Sequence, residues 1–295
     1  MPESPEVRIE TNKLQFIKNK IIIEINWNSS FQKTGIKNIG LATLPLTVID
    51  VWCRGKVIVI ETKSSDNKIL YITSQLGMSG KWLRSPEKHS NFWISFGTQA
   101  DGLWSMTDRI WYDDQRHFGS IGFHEDLSEV WNKHGPCLMT TALVNKGHLC
   151  KDQLKPDQLL VTYEKYRNEI RNKRYKSKRI AEFMMDQSRV SGVGNYIRNE
   201  VLYRSKISPI RLLTSLSDED IKTLYETTLN VMYMSYMQKG NYNPDVSMNL
   251  HTGTKCGDGF VMFVYKRTND PLGYPVQTFM DKNKRMCYYV PEIQK

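Results

Sequence analysis

The sequence contains few cysteines, no long apolar run and no amino-terminal leader pattern. Its five cysteines are widely spaced and include no C-x-x-C pair (Cys53, Cys137, Cys150, Cys256 and Cys287). This spacing indicates neither a disulfide framework nor a tetrahedral zinc site. No apolar run approaches the ~20 residues needed to cross a bilayer, and no basic segment followed by an apolar core opens the chain. We therefore expect a soluble intracellular protein.

What the chain has in excess is positive charge. Its 295 residues carry a formal net charge of +10, with 40% hydrophobic and 24% charged residues. The balance is that of a globular protein and argues against a disordered or fibrous chain, and the length leaves room for roughly two domains. The charge predicts an anionic partner, most commonly nucleic acid, and less commonly an acidic protein or a membrane surface.

The first ~125 residues have the pattern of one helix followed by many strands. Ser4 and Pro5 suit a helix start, and one helical face then repeats apolar or small residues at Val7, Thr11, Leu14 and Ile17. Strand-like runs follow, punctuated by turn residues: IIIEINW from Ile21, VIDVWC from Val48, KVIVIE from Lys56, ILYIT from Ile69, NFWISF from Asn91, and LWSM and IWY on either side of Asp108. This spacing predicts a β-sandwich or barrel.

The pattern changes past residues 134–136 and becomes helical from Thr140 to about Gly240. Ser217–Asp220 predicts a capping box, with Leu216 and Ile221 placed as a hydrophobic staple. The last ~55 residues return to extended runs, FVMFVY and RMCYYV, which predict a hairpin. We expect an α+β protein with an N-terminal β-sandwich domain (1–130), a helical domain (131–240) and a C-terminal segment (241–295).

A glycine-rich turn lies between two predicted helices and follows a basic stretch. The turn is Ser191-Gly192-Val193-Gly194, and Asn195 follows it. Glycines let backbone N–H groups approach an anion closely, and a helix amino terminus favours negative charge. The turn therefore suits a phosphate. The basic stretch has a simpler alternative, a solvated helix face (Arg171, Lys173, Arg174, Lys176, Lys178 and Arg179).

Several separated segments together resemble the formamidopyrimidine-DNA glycosylase/endonuclease VIII family. They are Met1-Pro2-Glu3-Ser4-Pro5-Glu6-Val7 at the start, Leu76-Gly77-Met78-Ser79-Gly80 and Asp114-Gln115-Arg116-His117-Phe118-Gly119 in the first half, and Asp186-Gln187 through Gly192-Val193-Gly194-Asn195-Tyr196 with Glu200 in the second. They resemble, in order, the family's amino terminus, its two DNA-probing loops and its helix–two-turn–helix. The resemblance covers nearly the whole chain.

The carboxyl terminus departs from the family pattern. The family usually ends in a four-cysteine zinc finger, whereas the matching positions here are Leu272, Pro275, Val290 and Ile293. This arrangement resembles the zincless finger of endonuclease VIII-like enzymes of animals and giant DNA viruses. The resemblance implies a location in the nucleus or, for a viral protein, in the cytoplasm or a virus factory. We expect no metal and no cofactor, and we expect Leu272, Val290 and Ile293 to replace the metal by packing.

The resemblance implies chemistry at the amino terminus. Removal of Met1, which is expected before a small residue such as proline, would expose Pro2 as a secondary amine. An α-amino group has a pKa near ~8, so part of it is unprotonated at neutral pH. Glu3 is the expected proton donor to the sugar ring, and Glu6 would orient the amine or the sugar. Without the resemblance, Pro2 and Glu3 would be an ordinary helix start.

The resemblance also implies contacts with DNA phosphates. Lys56, Asn195 and Arg285 match family phosphate ligands, and Gly192 and Gly194 would present their amides. Lys56 also fits a lysine that blunts a strand end. The assignment of Arg285 competes with three nearby cations, Arg267, Lys282 and Lys284.

A nucleotide that leaves the duplex leaves a hole, which the family fills from its two probing loops. Met78, Arg116 and Phe118 match the apolar wedge, the hydrogen-bonding arginine and the stacking aromatic. Leu83 is an alternative wedge, and Met78 and Phe118 also fit a plain core.

The resemblance thus implies a bifunctional DNA glycosylase/AP lyase for oxidised pyrimidines and formamidopyrimidines. Its expected partner is damaged DNA, duplex or single-stranded, and the enzyme is expected to be a monomer that binds no membrane. The first alternative is a non-catalytic basic nucleic-acid-binding protein on the same scaffold. The second, an amino-terminal-nucleophile hydrolase, would normally expose Ser, Thr or Cys rather than proline.

Overall fold

A computed structural model of the chain describes residues 2–29, 31, 35–240 and 260–295. The chain divides into two compact units. One comprises Met1–Pro2 and Glu6–Asn132, and the other comprises Glu3–Pro5 and Lys133–Lys295. Among the described residues, no helix combines the length and the apolar character that crossing a membrane requires.

The chain opens with the predicted helix. Helix α1 spans Ser4–Lys13 and tightens into a 3₁₀ turn at Leu14–Ile17. The predicted face is confirmed, since all four of its residues are at most 2% exposed (Val7, Thr11, Leu14 and Ile17). Burial of this face, rather than intrinsic propensity, is what stabilises so short a helix.

Nine strands follow among the described residues of the first unit. They are β1 (Ile21–Trp27), β2 (Ile36–Lys37), β3 (Leu46–Arg54), β4 (Val57–Ser64), β5 (Ile69–Gln75), β6 (Lys81–Leu83), β7 (Ser90–Ala100), β8 (Leu103–Asp113) and β9 (Ser120–His124). The sheet order is β2-β9-β5-β4-β3-β1-β7-β8-β6, and every neighbouring pair is antiparallel except β2 with β9. The runs predicted on either side of Asp108 are one continuous strand, β8.

The predicted sandwich is realised as one sheet that folds over its own apolar face. The Tyr112 hydroxyl of β8 donates to the Gln75 carbonyl of β5 at 3.1 Å, and Trp82 Nε1 of β6 donates to Ser74 Oγ at 3.1 Å. These bonds join strands that are not neighbours in the sheet. Within the described part of the chain, the end strands β2 and β6 do not pair, so no barrel closes.

Residues 57–60 of strand β4 are all apolar because both faces of the strand are covered. Ile58 and Ile60 lie in the main core of the first unit. Val57 and Val59 point to the opposite face, where Trp52 is among their neighbours. Because successive side chains of a strand point to opposite faces, a strand covered on both sides needs an unbroken apolar run. Helix α2 (Ser128–Trp131) adds Trp131 to that second face.

The second unit is helical and ends in a hairpin. Its helices are α3 (Leu138–Asn145), α4 (Tyr163–Arg171), α5 (Ile180–Met184), α6 (Asn195–Arg204) and α7 (Asp218–Gly240), and its strands are β10 (Gln277–Met280) and β11 (Met286–Tyr289). The predicted capping box is confirmed, because the Asp220 amide donates to Ser217 Oγ at 3.0 Å and the Ser217 amide donates to Asp220 Oδ2 at 2.8 Å. Leu216 and Ile221 are buried beside it.

Two predictions for the C-terminal segment are wrong. The run at 260–265 is not a strand of the hairpin, because the amides of Phe263, Val264 and Tyr265 donate to the Glu200 carboxylate instead of to a ladder (2.8–2.9 Å). Strand β10 takes its place. Leu272 does not pack, since it lies in a turn and is 69% exposed.

Apolar packing in this segment comes from other residues. Val264 and Val290 are fully buried in one cluster with Tyr203 of α6. Val276 and Ile293 pack against the same cluster. Two of the four positions that match zinc ligands, Val290 and Ile293, therefore contribute to a core, while Leu272 and Pro275 are exposed.

Candidate functional site

The Glu3 carboxylate lies at the amino terminus of helix α6. It is 1% exposed. Its Oε2 accepts the Gly194 amide at 2.7 Å and the Ile197 amide at 3.3 Å, and its Oε1 accepts the Tyr196 amide at 2.8 Å. Three backbone donors and the positive end of the helix dipole together complement a negative charge. The backbone therefore holds both carboxylate oxygens in fixed positions.

The glycine-rich turn is what lets Glu3 and Ser4 approach the helix so closely. A Cβ on residue 194 would lie 2.2 Å from Glu3 Cδ. Gly192 has a φ of +109°, and a Cβ there would lie 2.6 Å from Ser4 Oγ. The Ser4 amide also donates to the Gly192 carbonyl at 3.2 Å. Both glycines are thus required by space, and Gly192 also by backbone conformation.

The amides of the two glycines have acceptors within the chain. The Gly194 amide donates to Glu3, and the Gly192 amide donates to Gln187 Oε1 at 3.0 Å. That these amides are presented to a DNA phosphate stays a prediction. The anion at the start of α6 is a carboxylate of the protein itself.

The buried side chain of Tyr196 lies near the Glu3 carboxylate. Its hydroxyl lies 2.9 Å from Ser235 Oγ, and both side chains are buried. Burial raises the pKa of Tyr196 well above its ordinary value, and the nearby negative charge of Glu3 raises it further. The phenol therefore stays neutral, and its ring packs with Phe260 and Tyr265.

Asn195 and Arg285, both predicted to contact phosphate, are tied to one network in the second unit. Asn195 Nδ2 donates to the Met286 carbonyl at 3.1 Å, and its Oδ1 accepts from Arg198 Nη2 at 2.5 Å. Arg285 is half-buried in the turn that joins β10 to β11, and its amide donates to Asp281 Oδ1 at 2.8 Å. The competing cations Lys282 and Lys284 are exposed in the same turn.

The two predicted probing loops lie together in the first unit. Arg116 Nη1 approaches Met78 Sδ at 3.6 Å. A Cβ on Gly77, which has a φ of +59°, would lie 2.5 Å from the Gly119 nitrogen. Phe118 is 65% exposed, which excludes the plain-core interpretation for this residue. Leu83, the alternative wedge, is half-buried in β6.

Asp114, the first residue of the second probing loop, organises both loops, a role that is not predicted from the sequence. It is fully buried. Its Oδ1 accepts from Ser79 Oγ at 2.6 Å and from the Arg116 amide at 3.2 Å, and its Oδ2 accepts from the Gly119 amide at 2.7 Å. One carboxylate therefore fixes both loops. The one sequence signal for this role is that an aspartate, a residue common in turns, begins the loop.

The remaining predicted residues also belong to the first unit. Pro2 and Glu6 are half-buried at the start of the chain. Lys56 is half-buried in the two-residue turn between β3 and β4, where Gly55 adopts a φ of +59°. The prediction that Lys56 precedes an apolar strand is confirmed. Across the described residues, no group of three or more His, Cys, Asp or Glu side chains is arranged to hold a metal ion.

Comparison with known proteins connects these features to a family. Residues 1–121 match the family model described as the formamidopyrimidine-DNA glycosylase N-terminal domain, and residues 155–243 match the formamidopyrimidine-DNA glycosylase H2TH domain. The chain is 27% identical over 244 residues to formamidopyrimidine-DNA glycosylase of Mycoplasma pneumoniae, covering 81% of this chain and 79% of that protein. It is 25% identical over 261 residues to endonuclease 8 of Pectobacterium atrosepticum, covering 86% and 85%.

Solved structures share the fold. The MutM (Fpg) protein of Thermus thermophilus superposes with a TM-score of 0.72 at 20% identity, covering 99% of this chain and 98% of that one. The Lactococcus lactis Fpg structure, bound non-covalently to DNA containing an AP site, gives 0.71 at 20% identity and covers 100% of both chains. These structures show the fold. Because the two family models together match most of the chain, the chain belongs to the formamidopyrimidine-DNA glycosylase/endonuclease VIII family.

Proposed function

We propose that this protein is a bifunctional DNA glycosylase/AP lyase that removes oxidised bases. The observation that carries the proposal is the fixed Glu3 carboxylate, whose three backbone hydrogen bonds hold an acid–base group next in sequence to Pro2. Relatives named formamidopyrimidine-DNA glycosylase and endonuclease 8 support the same reaction class.

In this proposal Pro2, freed of Met1, is the nucleophile. Its nitrogen lone pair forms a bond to the anomeric carbon, and the bond to the base breaks with its electron pair leaving on the base. Glu3 carries a proton to the opening sugar ring oxygen. A carboxylate surrounded by amides first has to take up that proton, and the Pro2 amine, which must lose one, is its source. Glu6, one helical turn along α1, orients the amine or the sugar.

The lyase step follows from the secondary amine. Once the attached nitrogen has passed its proton to Glu3, its lone pair forms a C=N bond while the bond between the anomeric carbon and the protonated ring oxygen breaks. The product is an iminium ion, which has no N–H proton to lose and so stays electrophilic, and the departed base takes up a proton from water. Removal of a 2′ proton pushes electrons into the iminium and expels the 3′ phosphate (β-elimination). A second elimination expels the 5′ phosphate (δ-elimination). Water then releases the sugar fragment and restores the Pro2 amine.

Binding and base extrusion are assigned to the other predicted residues. Lys56, Asn195 and Arg285 contact the backbone phosphates around the lesion. Met78, Arg116 and Phe118 fill the vacated space in the duplex. Two observations favour this assignment: Phe118 is exposed, and Asp114 accepts the amides of Arg116 and Gly119, which lie on either side of Phe118 in the loop. Met78 is favoured over Leu83 because it belongs to the same loop pair as Arg116.

We further propose that the protein belongs to the zincless-finger, endonuclease VIII-like branch. The support is the set of side chains at the four ligand positions, of which Val290 is fully buried and Ile293 packs beside it. This branch implies oxidised pyrimidines and formamidopyrimidines as the main substrates. The protein acts as a monomer on duplex or single-stranded damaged DNA. We also expect the segment 240–259 to border the base pocket, and its residues 241–259 lie outside the described residues.

The experiment is an excision assay on oligonucleotides that each carry one lesion. The panel contains thymine glycol, dihydrouracil, a formamidopyrimidine and 8-oxoguanine, in single strands and in duplexes. Release of the first three bases with strand cleavage is the expected result. Tight binding to every lesion without base release would instead identify a non-catalytic nucleic-acid-binding protein.

A further inference from the structure

Arg198 is a fully buried arginine on helix α6, and three acceptors surround its guanidinium. Nη1 donates to Asp281 Oδ2 in an ion pair whose two side chains are 0% and 2% exposed. Nη2 donates to Asn195 Oδ1 at 2.5 Å and to the Met286 carbonyl at 3.1 Å. The planar fork of donors suits arginine and not lysine. One side chain thus joins α6 to both ends of the turn between β10 and β11.

Asp281 in turn fixes the backbone of Arg285. Its Oδ1 accepts the Asn283 amide at 2.9 Å and the Arg285 amide at 2.8 Å. The Asp281 amide donates to the Arg285 carbonyl at 3.0 Å, and the Lys284 amide donates to the Asp281 carbonyl at 3.0 Å. Both backbone polar groups of Arg285 are therefore held by Asp281.

We propose that the Arg198–Asp281 pair is the common positioning device for Asn195 and Arg285, the two phosphate contacts that the proposed function places in the second unit. This inference rests on that proposed function. Arg198 holds the Asn195 amide group from one side, and its ion-pair partner holds the turn that carries Arg285. A buried ion pair is weak evidence for added stability, because desolvation offsets much of the attraction. What the pair does supply is a single fixed orientation of its partners.

Separate contacts hold other described residues of the C-terminal segment. Asn199 Oδ1 accepts the Tyr288 amide at 3.1 Å. Glu200 accepts three amides of residues 263–265, and Val290 is buried with Val264. Weakening the ion pair therefore leaves these other contacts in place, so the variant is expected to fold and the proposal can be tested in a folded protein.

The test variant is Asp281→Asn. Its side-chain oxygen still accepts the two turn amides, but its NH₂ group now faces the Arg198 guanidinium. The matched control is Asp270→Asn, because Asp270 is a buried aspartate in the same segment. Asp270 accepts the Leu272 and Tyr274 amides and the Tyr203 hydroxyl, but it fixes a different turn.

The measurement is affinity for a duplex containing a tetrahydrofuran abasic-site analogue, titrated over salt concentration, in a cycle with Arg285→Ala. We expect Asp281→Asn to weaken binding about tenfold, as loss of a hydrogen bond to a charged group does. We also expect it to lower the salt slope by ~1, as Arg285→Ala does. The double variant should lower the slope by ~1 in total, and Asp270→Asn should leave it unchanged.

A purely structural role predicts a different result. Asp281→Asn would then lower the melting temperature as Asp270→Asn does, leave the salt slope at the wild-type value, and add its full effect to that of Arg285→Ala. That outcome overturns the inference while the wild type still binds and excises. Failure of the wild type to bind abasic-site DNA would overturn the proposed function and, with it, this inference.

Discussion

The Glu3 carboxylate and the backbone of Gly194 lie so close that no side chain fits between them. The Gly194 amide donates to Glu3 Oε2 at 2.7 Å, and a Cβ on residue 194 would lie 2.2 Å from Glu3 Cδ. This contact joins a residue at the start of the chain to one 191 positions later. Gly194 therefore helps to fix the position of the Glu3 carboxylate, the proposed proton-transfer group.

Gly194→Ala should therefore abolish most base excision. The backbone at Gly194 has a φ of −126°, which alanine adopts without strain, so the clash with Glu3 is the main effect. Loss of positioned proton transfer slows a reaction by about a hundredfold or more. The measurement is single-turnover release of an oxidised base. Gly40→Ala is the control, because a Cβ there meets no atom within 4 Å.

Glu3→Gln provides the second half of this test. It should lose excision of an intact damaged base while DNA binding survives, and cleavage of a preformed abasic site should fall less, because no base has to leave. In the Gly194→Ala background, Glu3→Gln should add little. Full additivity of the two losses, or wild-type excision by Glu3→Gln, would remove Glu3 from the mechanism.

Phe118→Ala should impair excision without destabilising the protein. The side chain is 65% exposed, so the free energy of unfolding should change by less than ~0.5 kcal/mol. Excision from duplex DNA should fall, whereas excision of the same lesion from a single strand, which has no hole to fill, should not. The control is Leu103→Ala, because Leu103 is the first residue of β8 and its side chain is 74% exposed. Equal losses on both substrates would contradict the void-filling role.

Long elements with a steady period could be predicted from the sequence. The run from Ile21 to Trp27 is strand β1 as predicted, and α1 buries the predicted face. Strands β2, β6 and β9 have only two, three and five residues. Two or three residues are too few to show a period, so β2 and β6 are defined by their neighbours in the sheet. The five residues of β9 do alternate, but Gly122 at their centre weakens the strand pattern.

Lys56→Ala should weaken binding to damaged and undamaged duplex alike. Removing one phosphate contact should lower the salt slope of binding by ~1. Lys68→Ala is the matched control, since Lys68 lies between β4 and β5 and pairs with Asp66 at 2.7 Å. If the Lys56→Ala titration overlays that of the wild type, Lys56 only ends a strand.

Val290→Ala and Leu272→Ala should change the free energy of unfolding by different amounts, because one side chain is buried and the other is exposed. Val290 is fully buried, so its truncation should lower the free energy of unfolding by about 2 kcal/mol. Leu272 is 69% exposed and should change it by less than ~0.5 kcal/mol. The measurement is denaturant unfolding.

Metal independence is the companion prediction for this segment. Exhaustive chelation should change neither the melting temperature nor the excision rate, because the four positions that match zinc ligands hold no thiolate. Bound zinc in a one-to-one ratio, or activity lost to a chelator and restored by zinc, would contradict the zincless finger.

The buried charged residues could not be predicted as such. Asp114 and Arg198 have the sequence contexts of an ordinary turn and an ordinary helix surface. Asp114 bonds to Ser79, 35 positions away, and Arg198 pairs with Asp281, 83 positions away. Burial of a charge depends on such distant partners, and no local pattern records them. The misplaced hairpin has the same origin, because Glu200 takes the amides that a strand at 263–265 would have used.

Borohydride trapping tests most directly whether Pro2 is the nucleophile. The protein is incubated with duplex DNA containing an abasic site and sodium borohydride, which reduces an iminium ion to a stable amine. We expect a covalent protein–DNA adduct in which the DNA is attached to Pro2 of the amino-terminal peptide, and no adduct from a variant that retains Met1. An adduct on a lysine, or strand cleavage with no adduct at all, would contradict it.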